Sequence, residues 1–195
     1  MLYIIIIAVA MTVISTAVSL ATQVSYFYVL GLTALAVIAV VLIDGFTAAV
    51  CRLLPAKLAN HEKKIFQVGA KEKKFYEKLK IRKWKDRVPE IGQFTGFRKN
   101  KLDDPKNPVY IDRFLLETCY GEIGHFTSFF TSFLLLLLFP ISKLWLPVAI
   151  PVAIVSALMN LPSFIILRYN SYKLEVLKKS AMKKLARDKQ ANSEE

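Results

Sequence analysis

No charged side chain occurs between Met1 and Ile43, and none between Ile123 and Ser142. The chain nonetheless carries 27 Lys+Arg against 15 Asp+Glu, a formal charge of +12. Charge segregated in this way excludes an ordinary soluble domain, a disordered tail and a soluble DNA-binding module, all of which mix charged and apolar residues along the chain. With 195 residues, 54% of them apolar, little chain remains outside the apolar runs for a second large domain. The expected class is an all-α integral membrane protein.

A hydrocarbon core of roughly 30 Å takes about 20 apolar residues of helix at about 1.5 Å per residue. The first uncharged run is long enough for two crossings, and Thr22-Gln23-Val24-Ser25 is the polar break inside it. The pattern predicts four transmembrane helices, at about Leu2–Ala21, Tyr26–Val50, Ile123–Phe139 and Leu144–Leu167. A three-span chain would have to merge the first two into one helix about twice the membrane thickness. Pro147, Pro151 and Pro162 predict a kinked or broken fourth span, because each removes an amide donor. Ser19-Leu20-Ala21 resembles a signal-peptide cleavage site, but Met1-Leu2-Tyr3 supplies no basic n-region, so the first helix is expected to remain as a span.

The basic residues set the expected orientation. Of the 27, 18 lie in Cys51–Glu122, 8 lie from Arg168 onward, and Lys143 stands alone between spans three and four. The positive-inside rule puts both termini and the central segment in the cytoplasm. The organisation expected is an N-terminal transmembrane hairpin (1–50), a basic interfacial segment (51–122), a second transmembrane hairpin (123–167) and a basic cytoplasmic tail (168–195). Cys51 and Cys119 fall at cytoplasmic ends of spans, which implies reduced thiols and small apolar packing roles rather than a disulfide.

Lys71, Lys73, Lys74, Phe75, Tyr76, Lys78, Leu79, Lys80, Ile81, Arg82, Lys83, Trp84 and Lys85 interleave cations with aromatic and aliphatic residues. This predicts a basic amphipathic helix at the anionic inner leaflet, with Trp84 at the headgroup level. A solvated run that only enforces topology is the alternative. No zinc, helix-turn-helix or aromatic-platform pattern accompanies the charge, so nucleic acid is not an expected partner. Beyond Lys85, Pro89 and Gly92 turn the chain, Asp103-Asp104-Pro105 and Asn107-Pro108 mark loop, and a helix is expected from about Ile111.

Chemistry concentrates in Glu117-Thr118-Cys119-Tyr120-Gly121-Glu122-Ile123-Gly124-His125. On a helix Glu122 and His125 share a face, and a carboxylate beside an imidazole fixes its tautomer and raises its basicity. The pair reads either as a general base with its orienting acid or as a hydrogen bond capping a helix at the interface. Asp44, alone among apolar neighbours, either pairs with a cation such as Arg52 or lines the same polar cavity. Asn160 lies just before Pro162; Arg168 and Tyr169 suit an interfacial anchor, and a guanidinium also suits a phosphate or carboxylate. No third ligand is spaced to join His125 and Glu122 in a metal site, and no cofactor motif is visible.

Three blocks, Arg82-Lys83-Trp84-Lys85-Asp86, Glu117-Thr118 with Glu122-Ile123-Gly124-His125, and Asn160-Leu161-Pro162 with Arg168-Tyr169-Asn170, together resemble the glycosyl-4,4'-diaponeurosporenoate acyltransferase family. Their order and spacing carry the resemblance, which covers about Leu54 to Leu174, weakly from Pro89 to Tyr110. It implies transfer of a fatty acyl group to a sugar hydroxyl of a glycosylated carotenoid or glycolipid at the bacterial inner membrane. Such a reaction needs a base and an oxyanion stabiliser. On this resemblance His125 is the base and Glu122 orients it. Trp84, Asn160 or Asn170 contributes polar contacts, and Tyr169 is counted with the substrate-binding residues. Arg82, Lys83, Lys85 and Arg168 hold phosphates of an acyl-CoA or acyl-phospholipid donor. The partners implied are membrane lipids, the acyl donor and the glycosylated acceptor; no oligomeric state follows. The rival reading is a non-catalytic membrane subunit that docks a partner or anionic lipid through its basic face. A transporter is disfavoured, since only Asp44 lies deep in a span.

Overall fold

The structure, a computed structural model of the chain, describes residues 2–88, 102, 104–138 and 142–191. All regular structure among them is helical. Helix α1 is Leu2–Thr22, α2 Tyr26–Arg52, α3 Ala70–Lys78, α4 Ile81–Trp84, α5 Pro108–Thr131 and α6 Trp145–Ala191, with 3₁₀ turns at Lys85–Arg87 and Ser132–Leu137. Among the described residues, three helices are long and apolar enough to cross a membrane: α1, α2 and α6. The expected third span is α-helical only to Thr131 and continues as a 3₁₀ turn, and its far end at Phe139 and Pro140 lies outside the described residues. Helix α5 has the length of a span, but its first fifteen residues carry Asp112, Arg113, Glu117 and Glu122.

The break between α1 and α2 falls where the polar tetrapeptide predicts it. Gln23 takes a left-handed conformation (φ 56°), the usual way to close a helix, and its side-chain amide donates to the Leu20 carbonyl. Ser19 donates to the carbonyl of Val24 at 2.7 Å and holds the turn from the other side.

Other expectations are corrected. The basic stretch is not one helix: Lys80 adopts φ 52° and ψ 39°, which separates α3 from α4. Helix α5 begins at Pro108, before the expected Ile111. Asn107 caps it, its Oδ1 accepting from the amides of Val109 (3.0 Å) and Tyr110 (3.4 Å). Asn-Pro reads as loop in a linear scan, but Asn at the cap and Pro at the first helical position also start helices. Helix α6 runs unbroken through Pro151 and Pro162. Apolar helices tolerate proline where nearby polar groups take up the freed carbonyls.

Contacts divide the chain into two units: Met1–Leu53 with Arg87–Pro89 and Ile123–Phe164, and Leu54–Asp86 with Glu90–Glu122 and Ile165–Glu195. Helices α5 and α6 each contribute to both. In the first unit, α1 and α2 pack through Ile14, Val18, Val29, Leu32, Ala36 and Val40, joined by Trp145, Val148, Ala149, Val152 and Ala153 of α6. Small residues let these backbones approach, and the Ser15 hydroxyl donates to Thr33 at 3.1 Å inside the contact. Outward faces are the reverse of a soluble protein's: Phe27 is 80% and Phe46 73% exposed, as suits lipid contact.

The second unit centres on Ile111, Phe114, Leu115, Leu174 and Ala181. His61 ties the segment after α2 into it: one ring nitrogen bonds Glu175 and the other Asp112, and Lys178 bridges to Asp112. Two carboxylates and two potential cations close this ring upon themselves.

The cap makes α5 testable. Asn107→Ala should cost about 1 kcal/mol, read as a lowered unfolding midpoint in detergent, whereas Asn107→Asp should keep most of that stability.

Candidate functional site

The first unit holds a polar network centred on Asp44 of α2. Asn160 of α6 donates from Nδ2 to Asp44 Oδ2 (3.3 Å) and to the Ser156 carbonyl (3.2 Å). Ser156 also donates its hydroxyl to Asp44 Oδ2 at 3.0 Å. Ser132 Oγ stands 2.7 Å from the Ser128 carbonyl, 3.1 Å from Ser156 Oγ and 3.5 Å from Asp44 Oδ1, its single proton serving one acceptor at a time. Ser128 and Ser132 are buried.

His125 joins this network through Asn160. Its Nδ1 lies 2.9 Å from Asn160 Oδ1. The orientation of that amide follows from its other contacts, because both protons of Nδ2 are engaged by Asp44 and Ser156. Oδ1 therefore faces the imidazole and can only accept, so His125 Nδ1 must carry the proton. In the neutral ring the lone pair is then on Nε2. A histidine held in this tautomer can take a proton at Nε2 and hold the resulting charge against the Asn160 carbonyl oxygen, with the Asp44 carboxylate one residue behind.

The second unit holds an ion cluster around Arg168. Nε and Nη2 grip Glu72 as a fork, both at 2.8 Å. Nη1 donates to the Ile65 carbonyl (2.7 Å) and to Glu122 Oε2 (3.2 Å), and Nη2 also reaches the Gln67 carbonyl (3.4 Å). All five guanidinium donors are committed. Glu122, only 2% exposed, takes the Ser171 hydroxyl on its other oxygen at 2.6 Å. Burial pushes the Glu122 carboxyl up to about 7, against the opposing pull of Ser171 and Arg168. Glu72 goes the other way: the Arg168 fork and the Tyr76 hydroxyl outweigh its burial and hold it below its ordinary value. One guanidinium shared by two carboxylates favours the better-bonded one as the anion.

The remaining candidates lie in the second unit. Arg82 donates from Nε to the Tyr169 hydroxyl at 2.8 Å. Trp84 donates from Nε1 to the Leu79 carbonyl at 3.0 Å, closing its own turn, and Lys85 is 3.5 Å from Asp86. Lys83 is exposed, and Asn170 is buried with an Nδ2 that has no partner among the described residues. Cys119 is buried too, and that burial pushes its thiol up to about 12, far from a nucleophile's range. The structure thus joins His125 to Asn160, Glu122 to Arg168 and Arg82 to Tyr169.

Three participants escaped the reading of the sequence: Ser132 and Ser156 around Asn160, and Glu72 on Arg168; Asp44 was read as paired with a cation or lining a polar cavity, and its identified hydrogen bonds are to Ser132, Ser156 and Asn160. The signal for the first group was present. Ser128/Ser132 and Ser156/Asn160 are both spaced four apart in apolar stretches, the separation that stacks side chains on one helix face.

A chain whose described residues form only helices, three of them of membrane length, and carry an imidazole–amide–carboxylate network in one unit has the build of a membrane protein with internal polar chemistry. Residues 57–180 match the model of the CrtO family, glycosyl-4,4'-diaponeurosporenoate acyltransferase, and the chain belongs to that family. The description points to acyl transfer to a glycosylated carotenoid as the family's activity. The match takes in His125, Asn160, Arg168 and Tyr169; Asp44 lies before it. Neither the curated proteins nor the solved structures contain a match.

The Arg168 cluster sets two stability tests. Arg168→Ala strands Glu122 and Glu72 and should cost about 3–5 kcal/mol, while Arg168→Lys, lacking the fork, should recover only part. The raised Glu122 carboxyl binds its proton more tightly folded than unfolded, so its contribution is present below 4.5 and lost as pH rises through about 7. Glu122→Gln should flatten the fall in unfolding midpoint between those values; an unchanged slope would mean that another group titrates.

Proposed function

We propose that this chain is a membrane-embedded O-acyltransferase that moves a fatty acyl group to a sugar hydroxyl of a glycosylated carotenoid or related glycolipid, with His125 as general base. The observation that carries the reading is the bond from His125 Nδ1 to Asn160 Oδ1, at 2.9 Å, in a chain of this family. His125 Nε2 removes the proton from the sugar hydroxyl as its oxygen attacks the acyl carbonyl. The C–O bond forms, the tetrahedral intermediate collapses, and the bond to the leaving thiolate or alkoxide breaks. His125 then returns its proton to that leaving group. No metal or prosthetic group is required for this exchange.

Asn160 takes the orienting role in this scheme, because its oxygen sits on Nδ1 and its nitrogen is fixed by Asp44 and Ser156. The bonds of Glu122 to Ser171 and Arg168 make it an organiser of the second unit. In the same reading the chain crosses the bacterial inner membrane four times, with both termini cytoplasmic. The stretch 123–138 is about 25 Å long, near the thickness of a hydrocarbon core. Nearly all basic residues fall on one side of such a topology.

The test compares lipid extracts by mass spectrometry from acceptor-supplied membranes at matched protein levels. Wild type should add an acyl chain to a glycolipid, and His125→Ala should lower that product by about 100-fold or more, the worth of a general base. Asn160→Ala should fall between the two. Identical profiles for wild type and His125→Ala would exclude the mechanism and favour a subunit that docks a partner through its basic face.

A further inference from the structure

With every donor of Arg168 spent on carboxylates and carbonyls, a phosphate in the second unit must be met elsewhere. A second group of cations stands on the Tyr169–Lys173 turn of α6. Arg82 uses Nε on the Tyr169 hydroxyl, which leaves both terminal guanidinium nitrogens without a partner among the described residues. The Lys173 ammonium lies 4.5 Å from the centre of the Tyr169 ring. One turn along, Lys73 donates to the Tyr172 hydroxyl at 3.4 Å and stands 4.7 Å over that ring. Glu77 lies 3.9 Å from Lys73.

This arrangement suits an anion with several acceptor oxygens. An arginine anchored through Nε presents its remaining donors as a planar fork, the geometry that matches phosphate. A phenol that accepts from Arg82 keeps its own proton to donate, and so does Tyr172 beneath Lys73. Cations gathered on adjacent tyrosines of one helix turn favour an anion that can bind between them. Arg82 and Lys173 are exposed while Tyr169 is buried, so the fork opens outward from a fixed base.

We propose that Arg82, Tyr169 and Lys173, with Lys73 and Tyr172 beside them, form a subsite for a phosphate group. Its role as the site of a phosphate-bearing acyl donor rests on the acyl-transfer reading; its affinity for phosphate does not. Two donors share that chemistry, a coenzyme A thioester and a phospholipid.

The full chain in detergent is titrated calorimetrically with coenzyme A and, separately, with a short-chain phosphatidylglycerol. Arg82→Gln and Tyr169→Phe are compared with wild type, and each is checked for a native circular dichroism spectrum. Each substitution should weaken binding about tenfold, the worth of one charge-assisted hydrogen bond. Tyr169→Phe keeps the packed ring and serves if Arg82→Gln fails to fold. Weakening toward coenzyme A names the thioester as source, and weakening toward phosphatidylglycerol names the lipid. The inference is overturned if neither ligand binds the wild type. It is also overturned if both variants bind as tightly as wild type, or if Lys184→Gln, which removes a distant exposed charge, weakens binding as much. Because the assay needs no turnover, its outcome is independent of whether His125→Ala still transfers acyl groups.

Discussion

A carboxylate and a primary amide set among apolar side chains must find their hydrogen-bond partners within the protein, and Asp44 and Asn160 find each other. Everything distinctive about the first unit follows from that bond. It fixes which end of the Asn160 amide faces His125, and so which imidazole nitrogen holds the proton. Ser156 donates to the same Asp44 oxygen as Asn160, and Ser132 stands 3.5 Å from the other. Helix packing through Ala36, Ala149 and Ala153 gives the side chains a firm frame, which a histidine needs if it is to act at one nitrogen only.

The second unit solves a different problem with the same economy of polar groups. Arg168 gathers Glu72 from α3, Glu122 from α5 and two loop carbonyls from the segment between α2 and α3. Breaking such a cluster is costlier than its net worth in the intact protein, because Glu122 would stay buried without its partner. The ring of His61, Asp112, Glu175 and Lys178 fastens the same segment a second time. Gly121 contributes by having no side chain: a Cβ there would lie 2.8 Å from Leu167, so its presence lets α5 and α6 come together.

Much of the fold was legible in the sequence where one local signal acted alone. The α1–α2 boundary followed from a polar tetrapeptide in an uncharged run. Legibility failed where two local signals conflicted. Asn107-Pro108 serves loops and helix starts equally, and prolines in α6 read as a kink or a break, of which the break is absent because an apolar helix accommodates them. The basic stretch divided at Lys80, a residue with no sequence mark for left-handed geometry. The site was readable as separate residues: His125, Asn160, Arg168 and Tyr169 all stood out by type. Their pairings were not, because Asn160 is 35 residues from His125 and Glu72 is 96 from Arg168, separations that only packing closes. The helical spacing of Glu122 and His125 suggested a partnership, while each made its identified hydrogen bonds to residues of α6.

The proposed chemistry depends on which ring nitrogen of His125 is protonated, and the chain has only two histidines to resolve. Nitrogen-15 NMR of imidazole-labelled protein in detergent, assigned with a His61→Gln variant, reads the tautomer of His125 directly. Nδ1 should be protonated and Nε2 unprotonated at a pH where the ring is neutral, with that preference lost in Asn160→Ala. A proton found on Nε2 in the wild type would contradict the proposed chemistry, since the lone pair would then face Asn160 and the ring could not act as the proposed base.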